Sequence, residues 1–557
     1  MDAVLSYDRP SEAGQRDGQL VVDFATERSR RGPYIDAEVG EPLAFARALL
    51  ALRGVAAADY RRSQRDHAAY QAWVRERYLE ELPAELAQAA ADAADLGRRR
   101  QALAAEAAPL EEAVRGEEAR LREKTGAGFA AARRAYFQWL YEQDQRAWLV
   151  IDPVVSVFPD AVYFECLSAD ESCFGRVRVD GSLLRADAPP RLGTTNIDFG
   201  SGLARELRRV RSYRPPRLRV GREQVALATT AGEAVEKRIP LPERWPAGFL
   251  QVQAATGLAA TTVRLRASLL ADVVAELGRR PDDAGPRALR FELAPGEPVA
   301  VVAEPWEVRF VDHARRWDGP PETVRVWGRR RLALLRPLLA DADEVTVRLV
   351  GSGMPSFWTV DHSGVRFDLG LSGWTGVDWA RSDSFDLLAS VGEATPRAVA
   401  RVAAVLQDRG VATTEDLAAG TGLPRETVVA ASVRLLRAGK AMHDASDGIH
   451  RWRELLPRAF SAEHDEADAR LAAARRAVAS GAVVLGAPVA LGDGSRRVAA
   501  TVTIGRPMET AVEVDADGRV RRAACSCADF RRNKLRHGPC RHLLATVAAL
   551  ARTEPAG

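Results

Sequence analysis

A chain of 557 residues is too long for one hydrophobic core and is expected to divide into about three or four domains. With 46% hydrophobic and 28% charged residues it reads as globular, which excludes a disordered chain, and a formal net charge of +3 says little about partners. The opening Met1-Asp-Ala-Val-Leu-Ser-Tyr-Asp has no basic or apolar leader region, there is no apolar run of membrane-spanning length, and the cysteines are few, so a soluble cytoplasmic protein without a disulfide scaffold or membrane partner is expected.

The basic residues are nearly all arginine: of 79, only Lys124, Lys237, Lys440 and Lys534 are lysines. Together with the abundance of alanine this reads as GC-rich coding, so arginine density alone says little about partners. Residues 1–40 are polar and punctuated by Gly and Pro, and read as a loosely ordered lead. From Pro42 the spacing turns helical, with Leu43, Ala46, Leu49 and Leu50 on one face, and the helical character runs with short breaks to about Gln145. Residues 41–147 are therefore expected to form a helical hairpin or short coiled coil, either an arm that binds a partner or a solvated helical layer.

From Trp148 the composition changes. Runs such as Val154–Phe158, Ala161–Cys166 and Gly175–Val179 alternate with short helices at Leu203–Arg211 and Ser268–Leu277, which predicts an α+β domain over 148–392. Cys166 and Cys173, with no histidine nearby, read as small buried residues. Phrases dense in Gly, Trp and Pro follow, among them Trp327-Gly-Arg-Arg-Arg-Leu332 and Gly353-Met-Pro-Ser-Phe-Trp358. Arg329, Arg330 and Arg331 could meet phosphates, although tryptophans in such phrases are more often core than site. Asp361, Asp368 and Asp378 are carboxylates that a cleft could gather.

At 393–458, Thr395-Pro396 starts a helix that Gly410 ends, Thr413-Thr-Glu-Asp416 caps a second, and Pro424 opens a third that Gly439 stops. Two strands, Ala441–Asp444 and Ile449–Arg453, follow. Three helices and a β-wing resemble a winged helix, in which Arg425, Arg434 and Arg437 on the third helix and Arg451 or Arg453 on the wing would be the DNA contacts. A polar helix over 462–479 links this module to the last one, with its mixed charges read as a solvated face.

The last stretch carries the chemistry. Cys525-Ser-Cys527, twelve residues, then Cys540-Arg-His542 offer three thiols and an imidazole, a donor set that closes a tetrahedral shell around Zn2+. Residues two apart in a strand face the same way, so Cys525 and Cys527 can share an ion. On a helix such positions diverge, so Cys540 must stand at or before a first turn, behind Pro539. Leu543, Leu544, Val547 and Leu550 then lie on one helical face, while Val512 and Val514 lead through Asp515-Ala-Asp-Gly518 into a return strand. Asp529 and His537 are spare candidates.

The C-x-C, spacer, C-x-H pattern followed by a short apolar helix resembles the SWIM zinc finger, and the Gly- and Trp-rich region upstream looks like that of a group of bacterial SWIM-finger proteins. Taken in order, these stretches read as a multidomain α+β protein: an N-terminal helical arm, a central α+β domain, a winged-helix-like module and, over 459–557, a C-terminal ββα zinc finger. The SWIM resemblance implies a DNA-binding or protein-interaction role, since SWIM fingers occur beside helicases, transposases and ubiquitin ligases.

Four protein ligands leave no position for an activated water, so the centre reads as structural. Arg531, Arg532, Lys534, Arg536 and His537, with Arg541 beyond, form a basic loop opposed by Asp529 alone. Phosphate loops, H-E-x-x-H and nucleophile elbows are absent; Gly370-Leu-Ser-Gly-Trp374 puts Trp where the elbow needs Gly. The expected function is a non-enzymatic, zinc-containing adaptor that binds nucleic acid, foremost DNA, or a protein partner. The alternatives are a nucleic-acid-processing enzyme with its site in the central domain, or a scaffold for a partner ATPase.

Overall fold

A computed structural model of the chain describes residues 12–16, 19–23, 35–60, 153–373, 379, 394–455 and 465–553, apart from 187, 198, 222–223, 238–244, 281–287, 492–493, 516–518, 534 and 536–537. The expected helical region from 61 to 147 lies outside the described residues. Residues 1–59 and 151–557 belong to one compact unit.

In chain order, β1 (Glu12–Arg16) pairs with β2 (Gln19–Asp23), and β3 (Ile35–Val39) leads into α1 (Pro42–Ala56). Then come β4 (Val154–Val157), β5 (Ala161–Leu167), β6 (Cys173–Asp180), β7 (Leu184–Ala186), β8 (Gly193–Asn196), α2 (Ser201–Arg209), β9 (Arg217–Val220), β10 (Gln224–Thr229) and β11 (Gly232–Lys237). The run continues with α3 (Trp245–Thr256), β12 (Thr261–Arg266), α4 (Ala267–Arg279), β13 (Leu289–Leu293), β14 (Pro298–Ala303), β15 (Val308–Arg316), β16 (Glu322–Val326), β17 (Glu344–Leu349), β18 (Ser356–His362) and β19 (Val365–Leu371). The centre is an eight-stranded antiparallel sheet in the order β12-β17-β18-β19-β6-β5-β4-β8, flanked by a five-stranded sheet, β11-β10-β9-β3-β7, and a four-stranded one, β15-β14-β13-β16.

One face of the large sheet is apolar and lies under α1. Phe45 of α1 meets Phe164 edge-on at 6.2 Å between ring centroids, and Leu49, Leu52 and Val55 are buried with it. A Cβ on Gly175 would stand 2.9 Å from Leu52 Cδ1 and 3.2 Å from Val55 Cβ, so glycine lets the helix come this close without displacing either side chain. Cys166 and Cys173 are buried here as free thiols; burial first, then the charge of Cys166's neighbour Cys173, pushes the Cys166 thiol up. The sequence groups α1 with the helical arm, but its apolar side packs on β5, β6 and β19 and so belongs to the central unit. Leu43, expected on the inner face, is 38% exposed, because that face runs through Phe45, Leu49 and Leu52.

The opposite face is charged. Side chains alternate along a strand, and the register Glu165↔Arg176↔Asp368↔Thr359 lays a polar row across four strands, with Tyr163↔Arg178↔Arg366↔Asp361 beside it. Arg176 Nε donates to Asp368 at 2.8 Å, and Thr359 Oγ1 donates to the same carboxylate at 2.6 Å. Glu165, Arg176, Arg366 and Asp368 are nevertheless buried.

What buries them is the next module: α5 (Pro396–Arg409), β20 (Val411–Thr413), α6 (Thr414–Thr421), α7 (Arg425–Arg437), β21 (Ala441–Asp444) and β22 (Ile449–Trp452). Thr395 caps α5 by accepting from Ala398 N, and Thr413 with Asp416 forms a reciprocal capping box on α6. Val402, Leu406, Leu417, Val428, Leu435 and Leu436 make its core. Strand β21 lies over the charged row. Asp444 accepts from Tyr163 OH at 2.8 Å and Arg176 Nη2 at 3.1 Å, and pairs with Arg366; Arg453 pairs with Glu165, and Arg451 with Asp160. Met442 fills the apolar gap among Phe158, Ala161 and Tyr163. Behind this seam the rings of His443 and His450 stack at 4.7 Å, and Gln253 of α3 accepts from the His443 N–H at 2.8 Å.

The last module contains α8 (Asp465–Ala479), β23 (Val483–Leu485), β24 (Val489–Ala490), β25 (Arg496–Ile504), β26 (Arg506–Val514), β27 (Val520–Cys525), α9 (Ala528–Asn533) and α10 (Arg541–Thr553). Its sheet runs β23-β25-β26-β27, with β24 added on β25. Helix α8 is more than the solvated linker its charges suggest. Ala474 and Ala477 are buried with Leu544, Ala545 and Val502, so one side of α8 belongs to this module's core. Among the described residues no helix is long and apolar enough to cross a membrane.

Candidate metal centre

Strands β26 and β27 form a hairpin closed by Asp515 N–H donating to Arg519 O at 2.9 Å, and Cys525 is the last residue of β27. Cys527 stands just past the strand rather than in it. Glu509 and Ser526 hold this exit, with Ser526 N–H donating to Glu509 O and Glu509 N–H to Ser526 Oγ, both at 2.9 Å. The chain then enters α9, a short helix not anticipated from the sequence. It aims the Phe530 N–H at Cys527 Sγ, 3.4 Å away, while the Cys527 N–H points at Cys525 Sγ at the same distance. Cys540 immediately precedes α10, its carbonyl accepting from Leu544 N–H at 3.0 Å, and His542 lies in the first turn. Buried Leu543, Leu544, Val547 and Leu550 seat the helix, and Thr546 Oγ1 meets Thr510 Oγ1 of β26 at 2.7 Å.

These elements bring one ligand atom from each of Cys525, Cys527, Cys540 and His542 within 4.8 Å of one another, all four residues being buried. Zinc–sulfur bonds of about 2.3 Å in a tetrahedron imply sulfur–sulfur edges of about 3.8 Å, so the cluster has the size the ion requires. Both ring nitrogens of His542 are buried without a hydrogen-bond partner, a costly arrangement for an imidazole with nothing to ligate. The thiols are unequal. Hydrogen bonds from Cys525 and then Cys540 hold the Cys527 thiol far below its ordinary range, whereas sharing with Cys527 pushes Cys525 up to about 11. The three thiols share protons among themselves, and a bound dication would draw those protons off to make all three sulfurs ligands.

The donor set, the spacing and the hairpin-to-helix geometry decide what this stretch is. Residues 511–551 match the SWIM zinc finger. The finger and its buried Cys3His cluster together make this a zinc site. No curated protein matches the chain. Among solved structures it is similar to Proliferating Cellular Nuclear Antigen from Entamoeba histolytica, with 11% identity and a TM-score of 0.29 over 40% of this chain and 89% of that one. It is equally similar to A. fulgidus PCNA bound to the C-terminal region of FEN-1, with 11% identity and a TM-score of 0.30 over the same shares. At these scores the likeness supports no argument about fold or function.

Around the finger's ligands, Arg531, Arg532 and Arg541 are exposed, as is Asp529, which stands outside the ligand cluster. Lys534, Arg536 and His537 lie outside the described residues. On α7 the candidates Arg425, Arg434 and Arg437 are exposed; Arg425 pairs with Glu415, and Arg434 donates to Ala394 O at 2.7 Å. The wing arginines are a correction. Arg451 and Arg453 are 0% and 3% exposed and are committed to Asp160 and Glu165, so they are closed to a phosphate backbone.

Arg329 and Arg331 also turn inward, each 2% exposed. Arg331 Nη1 donates to Ser172 O at 2.7 Å, and Arg329 stacks on Trp306 at 4.5 Å, where both serve packing rather than phosphate binding. Asp368 is sealed in the charged row, Asp361 is exposed, and Asp378 lies outside the described residues. The residues missed in the sequence are those that aim the ligands: Phe530, Ser526, Thr510 and Thr546. Only the Thr-x-x-x-Leu spacing of α10 offered a signal for any of them.

Proposed function

We propose that the protein is a non-enzymatic cytoplasmic adaptor of the bacterial SWIM-finger kind, whose zinc-stiffened finger contacts nucleic acid, foremost DNA, through the basic side chains around the metal. The observation that carries this reading is the closed four-ligand cluster next to exposed Arg531, Arg532 and Arg541. A site with four protein ligands has no open position for a substrate or activated water, so the ion contributes rigidity. Rigidity matters to a phosphate contact because a backbone already ordered by the ion need not be ordered on binding, although each arginine side chain still loses rotamer freedom there. The winged-helix-like module acts here as a structural brace, its hairpin spent on the seam with the central sheet.

The test is binding of the full chain to random-sequence duplex DNA across a salt series. Affinity should fall steeply with salt, and Arg531→Gln with Arg532→Gln should lower the slope by roughly one for each phosphate no longer neutralised. Absence of binding at low salt would redirect the finger to a protein partner.

A further inference from the structure

The chain between α2 and β9 holds the densest basic run in the described protein. Residues 205–219 contain Arg205, Arg208, Arg209, Arg211, Arg214, Arg217 and Arg219 against one acid, Glu206. Part of that charge is neutralised locally: Arg209 pairs with Glu206 at 2.8 Å, Arg217 with Asp36 at 2.5 Å, and Arg219 with Glu233 at 3.2 Å. Arg208, Arg211 and Arg214 have no carboxylate within ion-pair reach among the described residues.

At the centre of this run is a tight turn, closed by Arg214 N–H donating to Arg211 O at 2.9 Å. It projects Tyr213, which at 78% is the most exposed of the large hydrophobic side chains among the described residues. The turn is fastened at both ends. Val210 is buried on one side, and on the other Pro215 leads into buried Pro216, whose carbonyl accepts from Val39 N–H at 3.0 Å. Arg211 Nη1 donates to the Arg208 and Val210 carbonyls at 2.9 and 2.7 Å, which sets the direction of its guanidinium and leaves its remaining donors for an outside acceptor. The Arg214 guanidinium stands 6.0 Å from the centre of the Tyr213 ring. An exposed aromatic ring carried on a fastened turn among unneutralised arginines is the arrangement on which unpaired bases stack while arginines meet the adjoining phosphates.

We propose that the Arg211–Arg214 turn is a second nucleic-acid contact, selective for single strands, with Tyr213 as the stacking platform and Arg208, Arg211 and Arg214 as phosphate ligands. The base faces of duplex DNA are occupied by stacking, so this site favours single strands where the finger's point charges do not. The contact stands on its own residues and does not depend on the finger binding DNA.

The experiment measures the full chain binding a fluorescent oligothymidylate by anisotropy across a salt series, with a duplex as comparison. Tyr213→Ala should weaken single-strand binding about tenfold or more with little change on duplex, and Tyr213→Phe should restore it. Arg208→Gln with Arg211→Gln should lower the salt slope by about 1.4. Because Tyr213 is exposed, an unchanged melting temperature will show that the fold is intact. The same Tyr213→Ala factor in an Arg531→Gln, Arg532→Gln background separates this contact from the finger. Oligothymidylate that fails to bind at low salt, or binding within twofold of the parent after Tyr213→Ala, overturns the proposal.

Discussion

The module built on α5 to α7 is joined to the central sheet by charges from both sides, whereas the finger gathers its own hairpin and helix around three thiols and an imidazole. In the seam, Asp444 sits between two buried arginines, and the paired groups stand between 78 and 291 residues apart along the chain. In the finger all four ligands fall within an 18-residue stretch, from Cys525 to His542. One junction therefore depends on prior folding of the sheet, and the other on metal. Conditions that undo one should leave the other standing.

Metal removal should have the largest effect. Structural zinc in small modules contributes on the order of 10 kcal/mol or more of folding free energy, and here α8 and α10 have only a small alanine- and leucine-lined core besides. Chelation, or Cys540→Ser, should release one zinc per chain and melt these helices. None of the 11 tryptophans lies beyond Trp452, so tryptophan emission should stay still while far-ultraviolet helical signal falls. A shift in emission of the same size would show that the two junctions are coupled.

Asp444→Ala should come next, at about 3–5 kcal/mol, because it leaves Arg176 and Arg366 buried without that carboxylate. Burial opposes ionisation of Asp444, but those two arginines outweigh it and hold its carboxyl well below the usual range. Chemical denaturation followed by tryptophan emission should record the loss, with zinc content unchanged.

This contrast also explains what could be read beforehand. The ligand pattern is local, so Cys525, Cys527, Cys540 and His542 were legible from spacing, as were the capping signals Thr395 and Thr413. The seam was not. Arg176, Arg366 and Asp368 alternate with apolar neighbours along their strands, which is how a solvated face also reads, and Arg451 and Arg453 resemble wing residues aimed at DNA. Only the sheet register, which pairs Arg176 with Asp368 across 192 residues of chain, makes their charges complementary. For the same reason the packing of α1 and α8 was missed, since their partners lie on distant elements.

The seam should also respond to pH through the two stacked histidines behind it. Burial, and next the charge of Arg519, lowers His450 to about 4, and burial, then the His450 ring, Arg348 and Arg519, push His443 well below its ordinary value, with Asp444 and Glu415 the nearby acids. Between about pH 6.5 and 4 the unfolded state binds these protons and the folded state does not, so stability is complete above 6.5 and declines as pH falls. A drop from 6.5 to about 4 at His450 alone is worth about 3 kcal/mol. His450→Gln should flatten that part of the stability curve, measured by urea midpoints at stepped pH, and an unchanged slope would remove the histidines from the account.

The smallest effect should come from an ion pair that reaches from the finger to the central sheets. Arg522 of β27 contacts Glu322 of β16 at 2.9 Å across a groove of about 480 Å3 lined by Val324, Met354, Val520 and Phe530. Arg522 is about half exposed and also lies 3.8 Å from Glu513 of its own sheet, so water and a second carboxylate stand ready to replace Glu322. Exposed pairs of this kind contribute about 0.2–1 kcal/mol, and Arg522→Ala should fall at the low end. A double-mutant cycle with Glu322→Ala isolates the pair from the Glu513 contact. A coupling above about 1 kcal/mol would mean that the finger is fastened to the sheet by charge as well, and the division between an ionic seam and a metal clip would no longer hold.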